Sequence, residues 1–409
     1  MQWSCAILVL LLFSLLQGAC KQPSTSADRD TEEQLASRFR KARDPGQALA
    51  LAHRIRCLRM ARRLRQAGAR TWPSGPVRLP RLAGDQARLT LLTLDGRVHR
   101  FLSFAGGVRR LPARDLSHLQ TLIIKTRDEL EHGALEPSFP RLARLLARLH
   151  HQLLGGAQLG RTRQLVVAAD GMTRLVPFHA LVSGQNEGRP RFVADDLAVS
   201  YAVCPGLSPP AGLSGRAFVI VPSYAPQRTH LAAVAQEIAA VSRRFPQRTT
   251  IHRGGDATLA RLLAALGQPG AVVHFAGHGL ADLQPGTTPE LLLSEDQPPA
   301  TLARLTRRPV RAGLVVLAAC TTAFPALFRD GKRRVAPTGP VEGLLAAGAG
   351  AVIASSWNVK DRLSAQQMQV FYQRLGPQDR AMSTSYRELM RRLTSPHPRF
   401  WAGYALYVR

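Results

Sequence analysis

The sequence predicts an α/β fold: a mostly parallel sheet flanked by helices. Two observations carry this. Apolar runs without polar alternation occur at Ala217–Val221, Ala271–Phe275, Gly313–Ala318 and Gly350–Ser355, as expected of strands buried on both faces. Helical patterns at 230–244, 257–266, 340–348 and 363–375 fall between and after them, and strand–helix alternation favours parallel pairing through crossovers. With 409 residues and 45% apolar content, the chain can bury one large core or two halves.

The N-terminus has a different character. Residues 1–20, MQWSCAILVLLLFSLLQGAC, carry no charge, and Ala6–Leu16 is almost wholly apolar. Eleven residues suit the core of a signal peptide and fall short of a membrane span. Gly18 and Ala19 before Cys20 resemble a bacterial lipobox, although Gln17 and the uncharged start depart from that pattern. The resemblance implies lipidation at Cys20 and an exported, membrane-anchored lipoprotein. Lys21 after the cysteine favours the outer membrane by the same resemblance. Cleaved soluble export and a retained N-terminal anchor stay open.

Residues 21–84 read as a polar tether followed by one basic helix. Leu51, Ile55, Leu58, Ala61 and Leu64 share a face, and Arg54, Arg56, Arg59, Arg62, Arg63 and Arg65 surround it. No acidic residue lies between Asp44 and Asp85. Such a helix either lies on an anionic membrane surface or packs against the rest of the chain. The net charge of +28 comes from 50 Arg and five Lys against 27 acidic residues. It implies attraction to anionic surfaces, but no recognition motif points to specific nucleic-acid binding.

Residues 85–230 read as a companion half and 231–409 as the half that carries the chemistry. Leu89–Leu94 and Val98–Leu102 around Asp95-Gly96 predict a β-hairpin. Helices are predicted at 115–131 and 138–154, then a strand over Gln164–Ala169 ending in Asp170-Gly171. Of five cysteines, none has metal-site spacing, and a Cys57–Cys204 disulfide is not the favoured reading. No cofactor motif is present.

Two predicted strands end in the usual partners of thiol chemistry. One runs through His274 to Gly277-His278-Gly279, the other from Leu314 to Cys320. In open α/β sheets reactive groups collect at the carboxyl ends of strands. A cysteine near pKa ~8.5 needs a base before it is a nucleophile at neutral pH. His278 is placed to be that base, and the backbone N–H groups of Gly279 and Cys320 are candidates for an oxyanion hole. His274 is expected to be a buried support. A His274/His278 metal pair lacks a third ligand.

The blocks HFAGHG at 274–279 and LVVLAAC at 314–320 resemble the catalytic blocks of the CHAT family of caspase-like cysteine peptidases, which is related to separase. Further blocks are similar from about residue 160 onward: LVPFHAL at 175–181, GGDAT at 254–258, GLLAAGA at 343–349, ASSWNVKD at 354–361 and HPRFWAGY at 397–404. The resemblance implies a caspase-like sheet, His278 as base and acid, and Cys320 as nucleophile cleaving protein substrates. The leading reading is an exported cysteine endopeptidase regulated by an activating protein partner or by its own processing. Thr321 stands where the family commonly has Glu. That departure keeps a second reading open: a fold-retaining interaction scaffold that has lost catalysis. Asp361, Asp282 and Asp296 (with Glu295) are candidate specificity acids. Arg329, Lys332, Arg333 and Arg334 predict a basic loop after the site.

Overall fold

The structure is a computed structural model that describes residues 31–69, 81–133, 139–203, 212–224, 231–280, 289–294, 297–323, 326–329, 332–335, 338–376, 378–393 and 397–409. Eleven strands form one sheet: β1 (Gln86–Leu94), β2 (Arg97–Phe104), β3 (Gly107–Asp115), β4 (Gln164–Ala168), β5 (Ala198–Ala202), β6 (Ala217–Val221), β7 (Thr249–Arg253), β8 (Val272–Ala276), β9 (Leu314–Ala318), β10 (Ala351–Ser355) and β11 (Tyr404–Val408). Their order across the sheet is β3-β2-β1-β4-β5-β11-β10-β9-β8-β6-β7. β1, β4, β5 and β11 run parallel. β10, β9, β8, β6 and β7 are also mutually parallel, but β11 meets β10 antiparallel. The two blocks therefore point their carboxyl ends to opposite edges of the sheet. β6 lies with the second block in space, although a sequence boundary at 230 assigns it to the first.

The β1–β2 hairpin forms as the sequence predicts. Asp95 and Gly96 take φ values of 51° and 68°, the left-handed pair that a two-residue type I′ turn requires. Central strands are apolar because helices cover both faces; all five residues of β8, β9 and β10 are buried. The helices are α1 (Glu32–Lys41), α2 (Pro45–Gln66), α3 (Leu116–His132), α4 (Phe139–Leu154), α5 (Val234–Arg244), α6 (Leu259–Leu266), α7 (Pro340–Ala347), α8 (Asp361–Gln373) and α9 (Gln378–Arg392).

The segment read as a tether is corrected from residue 31 onward. Thr31 and Gln34 form a reciprocal capping box that starts α1, and Leu35 and Phe39 are buried against β1 and β2 residues. Two leading acids and three trailing bases also suit the helix dipole. Helix α2 starts at Asp44, whose side chain accepts the Gln47 N–H, with Pro45 in the first turn. Half of its 22 residues are buried, Arg56 among them. It therefore takes the packed alternative, with its apolar face against the sheet rather than turned to a lipid surface. Among the described residues, no helix is long and apolar enough to cross a membrane. Cys57 is disulfide-bonded, against the favoured reading of the sequence; its partner lies outside the described residues.

The core fixes one titrating group that predicts pH-dependent stability. His179 is buried, its Nδ1 is 2.8 Å from Tyr201 Oη, and its Nε2 is 3.0 Å from the Ala402 carbonyl. Its ring stacks on Tyr386 at 4.6 Å. Burial pushes its pKa down from 6.5 to about 4. A histidine neutral in the fold is protonated first in the unfolded chain as pH falls. Stability present above pH 6.5 is thus lost progressively down to about pH 4, by roughly 3 kcal/mol. Urea unfolding midpoints at pH 7 and pH 4.5 should show this fall, and a smaller one in His179→Gln.

Candidate active site

β8 and β9 are parallel neighbours, paired Val272 with Leu314 through Ala276 with Ala318. His278 and Cys320 each follow two residues beyond the last paired positions. They therefore leave adjacent strands side by side at one carboxyl edge. The Gly277 N–H donates to the Ala318 carbonyl at 3.2 Å and extends the pairing past the strands. Contact becomes closest at Gly279. A Cβ there would stand 2.2 Å from the Cys320 carbonyl oxygen and 3.2 Å from Thr322 Cγ2. Only glycine lets the histidine loop approach the cysteine loop this closely.

The histidine loop is held on its other side by Tyr224, three residues past β6. The His278 N–H donates to Tyr224 Oη at 2.9 Å. Tyr224 Oη donates to the Leu292 carbonyl at 2.9 Å, and Leu292 N–H donates to the His278 carbonyl at 2.9 Å. The Tyr224 and His278 rings stand 4.6 Å apart, tilted by 55°. Gly279 pairs antiparallel with Leu291. Because Leu292 N–H bonds the His278 carbonyl, this is a non-hydrogen-bonded pair, which leaves the Gly279 N–H outside that ladder. The sequence reading missed Tyr224. Its only signal was its place just beyond an apolar strand.

The cysteine loop is pinned to β10. Ser355 Oγ donates to the Ala319 carbonyl at 2.7 Å, Ser355 N–H donates to Thr322 Oγ1 at 3.2 Å, and Ala323 N–H donates to the Ser355 carbonyl at 2.8 Å. Thr321 takes φ 51°, a left-handed conformation that strains a branched residue by an estimated ~1–3 kcal/mol. Burial raises the Cys320 thiol above its ordinary value, opposed in part by the Val359 N–H at the sulfur. In this form the thiol is protonated at neutral pH.

Beneath the edge lies a buried polar chain. His274 Nδ1 is 2.9 Å from Tyr372 Oη, and its Nε2 is 2.9 Å from Glu237 Oε2. Ser364 Oγ donates to Glu237 Oε1 at 2.7 Å and lies 2.9 Å from Tyr404 Oη. Both His274 nitrogens are occupied, so it supports the core rather than pairing with His278 around an ion. Asp361 accepts the Ala233 N–H at 2.7 Å and joins the start of α8 to the entry of α5. Asp282, Glu295, Asp296 and Cys20 lie outside the described residues. The basic loop contains a hairpin that pairs Ala326–Arg329 with Lys332–Val335.

A family model described as CHAT domain matches residues 140–409. No curated protein matches the chain. Among solved structures, the chain is similar to Saccharomyces cerevisiae separase in its complex with securin, at 10% identity and a TM-score of 0.51 over 79% of this chain. It spans only 30% of that chain. It also resembles the Arg-specific cysteine proteinase gingipain R, at 8% identity and a TM-score of 0.42 over 71% of this chain and 74% of that one. The separase likeness bears on the fold alone, a caspase-like α/β sheet.

Proposed function

This chain belongs to the CHAT-domain family, and from that premise we propose that it is an exported cysteine endopeptidase acting through His278 and Cys320. The observation that carries the reading is the in-register pairing of β8 with β9, which delivers both residues to one edge. His278 takes the Cys320 thiol proton, and the thiolate attacks the scissile carbonyl carbon. The oxyanion is received by the Gly279 and Cys320 N–H groups. His278 returns the proton to the leaving amine as the C–N bond breaks, leaving a thioester. Water, deprotonated by His278, then releases the acid and restores the thiol.

Burial raises the thiol, so the proposed reaction needs His278 to draw off its proton. Substrate, or an activating protein partner, completes the site by bringing His278 onto the sulfur. Export rests on the apolar N-terminal run and on Cys20 as lipidation site, which would hold the protein at a membrane. A disulfide at Cys57 suits that compartment.

The raised thiol and Thr321 also favour a second reading, a scaffold that binds protein partners through the same fold without cutting them. A peptide-library digest separates the two. The peptidase reading expects one consistent cleavage motif, lost in Cys320→Ala and reduced by about 10²–10⁴-fold in His278→Ala. No cleavage by folded wild type, with or without its binding partners, favours the scaffold.

A further inference from the structure

A second cavity lies past the carboxyl ends of β4 and β5, the strands that run opposite to β8 and β9. Its empty space is about 400 Å³ when the open solvent at its mouth is counted, and the walled part is far smaller. Helix α2 closes it with Arg56, Met60 and Arg63; Asp170, Arg174, Tyr201 and Glu342 complete most of the wall. α2 lies outside the CHAT match at 140–409, whereas the facing wall lies within it.

The charges in this wall do not balance. Glu342 Oε1 accepts from Arg174 Nη1 at 2.8 Å and from Arg63 Nη2 at 3.2 Å. Asp170 Oδ2 accepts from Arg59 Nη1 at 2.7 Å and from the Thr93 N–H at 3.2 Å. Arg56 makes no direct ion pair with a carboxylate among the described residues, although Asp170 and Glu342 act on it from farther off. It is 5% exposed, and its one hydrogen bond runs from Nη2 to the Ala169 carbonyl at 2.9 Å. Its Nε and Nη1, together with Arg63 Nε, are buried without an acceptor among the described residues. A buried guanidinium left in this state is strongly destabilising unless something negative joins it. Burial, with Arg63 and Arg174 nearby and only partly opposed by Asp170 and Glu342, also lowers its pKa to about 10.

We propose that this cavity binds a phosphate-type oxyanion, held by the free nitrogens of Arg56 and Arg63. Guanidinium suits such oxygens in charge and in donor geometry. Glu342 Oε2 meets no donor at good hydrogen-bond geometry among the described residues, although the Thr338 hydroxyl helps hold the carboxyl ionised, and it remains an acceptor. It favours an oxyanion that still carries a proton, such as hydrogenphosphate or a phosphomonoester, over sulfate. The ligand would fasten α2 onto the CHAT module, beside the disulfide-bonded Cys57.

The test is thermal unfolding of the full chain in sodium phosphate, sodium sulfate and sodium chloride at equal ionic strength near pH 7. Phosphate at 10 mM is expected to raise Tm over chloride by roughly 3–6 °C, as a ligand with sub-millimolar affinity does, with sulfate well below it. Arg56→Met should remove that increment while leaving the chloride Tm equal or higher, because an unpaired buried charge has gone. An increment unchanged in Arg56→Met would assign the effect to the basic surface and overturn the site. Equal rises with sulfate and phosphate would overturn the phosphate assignment. Should Arg56→Met not fold, a wild-type crystal soaked in phosphate decides. Density among Arg56, Arg63 and Tyr201 is expected, and phosphate only on outer surfaces would refute the proposal.

Discussion

Gly279→Ala is expected to lower kcat/KM by at least about 10²-fold, the usual loss for one oxyanion donor, while the chain stays folded. A Cβ placed 2.2 Å from the Cys320 carbonyl oxygen forces two backbones apart, and no rotamer relieves it. Because that carbonyl belongs to the nucleophile, the displacement moves the sulfur, the histidine loop and the Gly279 N–H together. Misplacement by about 1 Å at a reacting centre is itself enough for such a loss. Gly184→Ala is the control, since a Cβ there meets nothing within 4 Å. Peptide cleavage and circular dichroism on both variants check the result. A scaffold without catalysis would show no difference in any cleavage readout.

Glu342→Ala is expected to destabilise the fold by about 3–5 kcal/mol, as removal of one partner from a buried ion pair does. Glu342 is buried at the start of α7, where Arg174 and Arg63 both reach one of its oxygens. These two arginines hold its carboxyl below the usual range. Without it, Arg174, itself buried, faces Arg56 and Arg63, and Asp170 is the carboxylate that still acts on it among the described residues. Because Arg63 belongs to α2, the joint between the N-terminal helices and the CHAT module loosens as well. Urea unfolding at pH 7 measures the change. Glu33→Ala is the surface comparison. Its pair with Arg40 is exposed and contributes at most about 1 kcal/mol.

What was legible in the sequence followed burial. β8, β9 and β10 are buried along their whole length and almost wholly apolar, His274 and Ser355 apart, because helices cover both faces, so they stood out. The hairpin at Asp95-Gly96 was legible because its turn needs two left-handed residues. β3 was missed because, as an edge strand with an exposed Arg110 and half-buried Arg109 and Arg114, it reads as polar. β7 was missed for the same reason; all five of its residues are exposed or half-buried. α1 was taken for tether because only Leu35, Ala36 and Phe39 are buried between charged residues.

At the site, the histidine and cysteine blocks were legible from their strands and glycines. Tyr224 was not, because a tyrosine three residues past an apolar strand has no pattern until β6 is placed beside β8. Asp361 was legible as an acid near the site, but its bond to the Ala233 N–H depends on how α8 meets α5. The reversal of direction at β11 could not be read either. A short apolar strand at the C-terminus pairs equally well in both directions until its neighbours are known.

The central claim is that one imidazole and one sulfur, delivered by neighbouring strands, act as a single chemical unit. Its most direct test is covalent labelling of Cys320 at pH 7 by a peptidyl electrophile, in wild type and in His278→Ala. The claim predicts modification at Cys320 and a rate about 10²-fold or more lower in the variant. Equal rates, or labelling of wild type that never reaches Cys320, would contradict it.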